Sequence, residues 1–461
     1  MAIIIPANSA ADTGYSIDNS CRFNRADSAK FERAIDADGS LTTWTFNVWL
    51  KRGEMTASNH YSLLWNRDSS GTAAITSLEF YGTGTASNQQ TIYFYNYDNP
   101  GDGEKRLQTT AKYRDPSAWY NLHVMWDSSN ATAGNRMRIF INGTEETDFI
   151  LDQNPGSSAE GGLLRGSVAT KLSIGFHPYN NSNYYDGYMA NAILCDGQAY
   201  LPTKFGEFNE DSPTIWQTID PSEQSLSFGT HGFWLDFADS SDLGNDVSGQ
   251  NNDFTPANFA ATDQCVDSPT NNFCTLNPLD GNITNSGGLL EGNTTYNKSS
   301  TGSDHNTTTL GTLGAANGKW YFETKIGDTN EVIIGFADAN HGAYDSNNNL
   351  WNTAATESYG YRDNGTRNVT TTITTSHFNT YTTNDIVSIA IDLDNGKIYA
   401  AKNGTWETSG DPTSGATGTG SFADISDTTK TFVPIIGNLN YVNASLHYLN
   451  FGNPSYANSS D

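Results

Sequence analysis

The sequence predicts an all-β protein built from two antiparallel β-sandwich domains. Three observations carry this. Aromatic residues make up 12% of the 461-residue chain and glycine contributes 43 positions. Asn, Ser and Thr are abundant while helix-forming runs of Leu, Ala and Lys are scarce. Apolar residues recur with a period of two in short runs bounded by Gly, Asn and Asp. A chain of this length holds about two to three domains, each able to bury a core of its own.

The elements follow in order. The opening stretch MAIIIPANSAADTG (1–14) has no basic region and an apolar run too short for a signal peptide, so a chain made in the cytoplasm is expected. The same stretch is a candidate docking strand for a neighbour's sheet edge, or an ordinary first strand. In WTFNVWLKRG (44–53), Trp44, Phe46, Val48 and Leu50 fall on one face and Thr45, Asn47 and Lys51 on the other, the pattern of a half-buried strand. WYNLHVMWD (119–127) alternates in the same way through Tyr120, Leu122, Val124 and Trp126. RMRIFINGTEE (136–146) gives Met137, Ile139 and Ile141 before an Asn-Gly turn, so the two runs predict a hairpin. KLSIGFHP (171–178) and YDGYMANAILCDGQAY (185–200) add two strands, completing a first domain over 1–205. From 206 to 284 hydrophobic runs thin and Pro, Asn and Asp dominate, which predicts an irregular bridging segment packed on the first domain.

A second domain is expected over 285–453, with a short tail at 454–461. GKWYFETKIG (318–327) alternates Trp320 and Phe322 with Tyr321 and Glu323, and VIIGFADA (332–339) follows after a turn. DIVSIAIDLDNGKIYAAKNGTW (385–406) places Val387, Ile389 and Ile391 on one face. Asp-Asn-Gly at 394–396 and Lys-Asn-Gly at 402–404 tolerate positive φ, so 397–401 is a short strand held between two tight turns.

Two resemblances refine the picture. The ordered phrases CRFNRADSAKFER (21–33), TWTFNVWLKRG (43–53), RDPSAWYNLHVMWD (114–127), RIFINGT (138–144) and DGYMANAILCDGQ (186–198) resemble the laminin-G-like, concanavalin-type lectin fold. More narrowly they are similar to the version found in structural proteins of marine tailed phages. That resemblance extends over about 1–280 through TKFGEF (203–208), HGFWLDFADSSDLGNDVSGQNNDFTP (231–256) and DSPTNNF (267–273). Over about 290–453 the succession of GKWYFE, IGFAD, YGYRDNG, DLDNGKIY, KNGTW, VPIIG and LNFG resembles a SPRY domain. Both resemblances imply jelly-roll sandwiches, and the SPRY resemblance implies a recognition module whose loops carry binding.

No Glu-x-Asp-x-x-Glu, HExxH, GxSxG or GxxxxGK[ST] occurs, so glycosidase, protease, esterase and nucleotide-hydrolase signals are missing. Glu207, Glu210 and Asp211 are the nearest approach to a carboxylate set and read as a solvated acidic turn. Asp242, Asp246 and Asp253, with Ser248 and Asn251, gather hard oxygen ligands of the kind Ca²⁺ takes; Asx-turns explain the same residues. No other cofactor is expected. Sugar sites use exposed aromatics beside hydrogen-bonding side chains, which singles out Tyr344, Trp351, Tyr359, Tyr361, Arg362 and Asp363, and in the first domain Tyr95, Tyr97, Tyr184 and Tyr185. Cys21, Cys195, Cys265 and Cys274 lack CxxC spacing and read as reduced thiols, a Cys265–Cys274 disulfide being the alternative. Sequons such as those at Asn142, Asn293, Asn306 and Asn403 read as by-products of an Asn- and Thr-rich surface.

Charge bounds the partners. With 24 Lys and Arg against 51 Asp and Glu the chain carries −27, which repels nucleic acid and anionic membranes at long range, and no stretch is apolar enough for membrane insertion. The phage-like phrases imply a non-catalytic virion surface protein, a capsid decoration or tail appendage made in the host cytoplasm. Its expected partners are other virion proteins and a host-surface glycan, and a symmetric homo-oligomer is expected. The alternatives are a free or cell-surface carbohydrate-binding adhesion protein and a polysaccharide depolymerase.

Overall fold

The computed structural model describes residues 14–456 apart from 57–58, 68–73, 83–87, 99–102, 167–170, 179–180, 282–286, 300–306, 330, 342–350, 352–356 and 440–442. The candidate docking strand, but for Gly14, lies outside the described residues. Among those described there is no α-helix, only strands and short 3-10 turns. The chain divides into two compact units, one ending at Asn272 and the other taking up at Phe273.

In the first unit one sheet runs Thr144–Glu145, Met137–Ile141, Trp119–Asp127, Thr43–Arg52, Gly187–Asp196, Ser20–Phe23 and Gln264–Cys265, with Phe233–Leu235 also paired to Gly187–Asp196. The other runs Phe149–Gln153, Gly103–Thr109, Thr91–Asp98, Ala74–Tyr81, Tyr61–Arg67, Lys171–Ile174, Lys30–Ala34 and Thr255–Ala257. Alternate residues of both sheets meet in one core. Trp44, Phe46, Val48 and Leu50 come from the first, and Leu78, Phe80, Ile92, Phe94 and Leu107 from the second. The Trp44 and Phe94 rings meet across the layers at 5.6 Å. The predicted hairpin forms, with Val124 opposite Ile139 and Trp126 opposite Met137. Its Asn142 and Gly143 both take positive φ. At Gly143 a Cβ would also lie 2.2 Å from the Trp216 ring, so the turn needs glycine for space as well as conformation.

Three sequence expectations are corrected here. The Thr43–Arg52 strand is buried on both faces, because a further layer covers its outer side; Thr45, Asn47 and Lys51 are all enclosed. Ile17, Trp49, Trp119, Tyr188, Trp216 and Cys265 form a satellite cluster there. The stretch 206–272 is also not a bridge but part of the first unit. Its strands Phe233–Leu235, Thr255–Ala257 and Gln264–Cys265 extend both sheets, and Phe233, Leu235 and Phe254 enter the main core. Strands of two or three residues leave no alternation to read, since their partners lie far off in sequence. The second unit takes up at 273, ahead of the expected 285, and its first strand is Leu276–Gly281.

The second unit is again a sandwich. One sheet runs Leu276–Gly281, Thr307–Gly311, Phe432–Asn438, Val332–Asp338, Ser358–Arg362, Arg367–Val369 and Thr372–Thr374. The other runs Gly287–Leu290, Thr295–Lys298, Ser445–Asn450, Lys319–Ile326, Ile386–Asp392, Lys397–Lys402 and Thr405–Trp406, with Ala423–Asp424 paired to Lys397–Lys402. Phe322 meets Phe336 between them at 5.3 Å, and Val387, Ile389 and Ile391 share this core as their alternation predicts.

Candidate functional site

A side chain that stacks on a sugar must reach solvent, and this condition sorts the predicted residues. Trp351 is 1% exposed and packs with Leu310, Ile333, Val433 and Ile435. Tyr359 and Tyr361 are equally buried. Tyr361 is wedged between Phe378 and Tyr381 at 4.5 and 4.9 Å, with its hydroxyl donating to the Asn379 carbonyl at 2.5 Å. The Tyr359 hydroxyl is bonded to the Glu357 carboxylate. Arg362 pairs with Glu331 at 2.8 Å, and the Asp363 carboxylate accepts the Glu331 amide at 3.0 Å. Tyr344 lies outside the described residues. Of the expected glycan set, Trp351, Tyr359 and Tyr361 are therefore core packing, and the half-buried Arg362 and Asp363 are engaged at a strand end. Tyr359 and Tyr361 point inward while Gly360, between them, backs onto Trp351, so both faces of this strand are covered.

The expected Ca²⁺ ligands are likewise engaged otherwise. Asp246 accepts the amides of Trp234, Ser248 and Asn252 at 2.8–2.9 Å and the Ser248 hydroxyl at 2.8 Å. Asp253 accepts the Asp246 amide at 2.9 Å, and Asp242 that of Gly244 at 3.2 Å. Each carboxylate thus closes its own turn, and among the described residues no group of three or more His, Cys, Asp or Glu is placed to hold a metal ion. The four cysteines are free thiols, and among the described residues no helix is long and apolar enough to cross a membrane.

In the first unit Tyr185 is buried, its hydroxyl donating to the Lys51 carbonyl at 2.9 Å, and Tyr184 stacks on Phe176 at 5.8 Å. Tyr95 and Tyr97 behave differently. Both lie half-buried on the strand Thr91–Asp98, facing away from Ile92 and Phe94. Cross-strand register sets their neighbours, of which Trp65, Ser77, Glu79 and Gln108 are buried while Tyr93 and Arg106 are half-buried. Trp65, Ser77, Tyr95, Arg106 and Gln153 fall in one row, and Glu79, Tyr93 and Gln108 in the next.

The rings of this face are ordered against one another. Tyr93 and Tyr95 lie 5.8 Å apart and 15° from parallel; Tyr81 meets Tyr93 at 5.2 Å, and His60 meets Tyr81 edge-on at 4.6 Å. Polar groups fix the rims. The Tyr95 hydroxyl donates to Glu104 at 3.3 Å, Arg106 donates to Gln153 at 2.7 Å and lies 3.5 Å from Glu104, and His60 is bonded to Glu79 at 3.1 Å. Burial raises the Tyr93 phenol, opposed by its hydrogen bond to Arg106; burial and then Glu104 raise that of Tyr95, so both remain neutral donors. Trp65 closes one end, with His177 against its ring at 3.8 Å. The Trp65 indole N–H and one Glu79 oxygen are buried without a hydrogen-bond partner among the described residues. Tyr93, Arg106 and Gln108 were not anticipated; the readable signal was Tyr at alternate positions of TIYFYNYD (91–98).

Compared with known proteins, residues 319–446 match the family model of the SPRY domain. No curated protein matches the chain. Similar solved structures include the SPRY domain of human HERC1, at 14% identity over 38% of this chain and 96% of that one, TM-score 0.30. A heptameric SAP-like pentraxin from Limulus polyphemus is 12% identical over 53% of this chain and 94% of that one, TM-score 0.28. Stonustoxin is 15% identical over 38% of this chain and 27% of that one, TM-score 0.28. Scores at this level do not establish a common fold.

Proposed function

We propose that this chain is a non-catalytic recognition protein whose first sandwich takes a saccharide on the Tyr93, Tyr95 and Arg106 face, and which is displayed on a tailed-phage particle. The observation that carries the binding reading is the register that sets the Tyr95 phenol beside the Arg106 guanidinium and, one strand further, the Gln153 amide, with the Tyr93 ring in the neighbouring row. Rings supply apolar surface for sugar C–H faces, and the flanking groups supply hydrogen bonds to hydroxyls. Arg106 is offset by Glu104, so the face favours a neutral polyol over a highly charged peptide.

The SPRY match of the second unit supports recognition over catalysis, since such domains typically serve as interaction modules. The particle setting draws on the resemblance of 1–280 to phage structural proteins. A charge of −27 also suits dense display, keeping arrayed copies soluble. In this setting the partners are other virion proteins, capsid or tail, and copies of the chain itself.

Affinity electrophoresis of the full chain through gels holding bacterial envelope polysaccharides tests the binding reading. Retardation by at least one polysaccharide, weakened by Tyr95→Ala and by Arg106→Ala, is expected; equal retardation of wild type and both variants would refute it. Immunogold labelling of particles with antibody to 285–461 tests the setting. Label over heads or tails is expected, and unlabelled particles would leave a free adhesion protein as the reading.

A further inference from the structure

The satellite layer on the first sandwich encloses a constellation that simple packing does not require. The Lys51 ammonium lies 2.7 Å from Oδ2 of Asp267 and 2.8 Å from Oδ1 of Asn272. The side chains of Lys51 and Asp267 are fully buried. Trp119 Nε1 donates to the other Asp267 oxygen at 2.9 Å, and Asn272 Nδ2 donates to the Ser117 carbonyl at 2.8 Å, so both partners of the lysine are held in place. Tyr188 lies 5.8 Å from the nitrogen. The amine and the carboxylate are thus enclosed together beside aromatic rings, with the half-buried Asn272 carboxamide held against the amine.

We propose that Lys51 and Asn272 become joined by an intramolecular isopeptide bond, with Asp267 moving the protons. In water an amine does not displace ammonia from a carboxamide, because it is protonated and the amide is a poor electrophile. Confinement changes both terms. A buried ion pair is costly to maintain, and transfer of a proton from the ammonium to Asp267 neutralises both partners and frees the nitrogen lone pair. The fixed geometry replaces a bimolecular encounter.

The step balances without any oxidant, reductant or co-reactant. The Lys51 nitrogen attacks Cγ of Asn272 and a C–N bond forms. Asp267 takes the second proton from that nitrogen and delivers a proton to Nδ2. The Cγ–Nδ2 bond breaks and ammonia departs with the remaining proton as ammonium, leaving a secondary amide. Asn272 is assigned as the acyl partner over Asp267 because condensation at Asp267 would consume the group that relays protons.

Lys51 and Asn272 are 221 residues apart, so the bond closes a long loop and constrains the unfolded chain strongly. It also anchors the strand Thr43–Arg52 to the last residue of the first unit, directly ahead of the residue at which the second begins. Tension applied through the second unit would then meet a covalent strap before it could peel away the short strands between 255 and 265.

Denaturing mass spectrometry with peptide mapping of the full chain tests this directly. The expected result is a mass lower by one ammonia than the sequence requires, with the Lys51 peptide found attached to the Asn272 peptide. Two linear peptides and the full sequence mass would overturn the proposal. Loss of water with the link at Asp267 would overturn the assignment of Asn272. Asp267→Asn retains both reacting groups and is expected to restore the full mass; joined peptides in that variant would overturn the role of Asp267. Because the wild-type mass is decisive alone, a variant that fails to fold does not weaken the test.

Discussion

Replacing Trp351 by alanine separates a core anchor from a sugar-stacking residue. The ring is seated between two glycines: a Cβ on Gly360 would lie 2.5 Å from its Cζ3, and one on Gly437 would lie 2.7 Å from its Nε1. A buried Trp removes about 150–250 Å² from water, which at about 25 cal/mol per Å² is about 4–6 kcal/mol. Measured Trp-to-Ala changes in cores run at about 3–5 kcal/mol. For a domain of this size each kcal/mol moves the melting temperature by about 2–4 °C, so a fall of about 6–20 °C is expected for the second unit. Thermal melts followed by tryptophan fluorescence, beside polysaccharide retardation on the same samples, read both quantities. A second unit that melts as wild type while retardation is lost would refute the core assignment and return Trp351 to the binding surface.

Further outcomes follow from the same geometry. Tyr95→Ala is expected to weaken polysaccharide retardation by about 2- to 13-fold, the range of one aromatic contact worth about 0.5–1.5 kcal/mol, with little change in melting temperature. Asp246→Ala removes the acceptor of three amides and a hydroxyl, and is expected to destabilise the first unit by about 2 kcal/mol or more; Ca²⁺ or chelator should leave the wild-type melt unmoved, and a Ca²⁺-dependent rise would overturn the turn assignment. In the second unit burial lowers His447 to about 3 from 6.5, so the unfolded chain binds the extra proton. Stability present above pH 6.5 is therefore lost as pH falls toward 3, at up to about 1.4 kcal/mol per pH unit. Asp385 and Asp392, held below their usual range by hydrogen bonds that outweigh burial, add to that loss, and Asp363, raised by burial, opposes part of it. In the first unit His123, also lowered to about 3 by burial, is offset by Asp186, which burial raises to about 7 from 3.8 and which loses stability as pH rises through that interval. Melts between pH 7 and 5 should show the second unit falling more steeply, and equal slopes would refute this balance.

The proposed binding face is partly legible in the sequence. Alternation in TIYFYNYD places Tyr93, Tyr95 and Tyr97 on one side, and Tyr95 and Tyr97 were singled out on residue type. Their partners were not, because Arg106, Gln108, Gln153 and Glu79 come from other strands and join the face only through register. In the second unit the same reasoning chose Trp351, Tyr359 and Tyr361, all of which are buried. Residue type and loop-like spacing do not report which side of a strand a further layer will cover.

What the sequence determined by itself was the local and periodic part: an all-β chain, two sandwiches, the hairpin through Asn142 and Gly143, and the core faces of Thr43–Arg52 and Ile386–Asp392. These depend on period-two burial and turn chemistry, which neighbouring residues encode. The tertiary structure decided the rest. It put 206–272 into the first unit, closed the outer face of Thr43–Arg52, and brought Lys51 to Asp267 and Asn272. Each of those outcomes depends on contacts between residues far apart in the chain, where burial and hydrogen bonding are set by which strands meet and not by the pattern within any one of them.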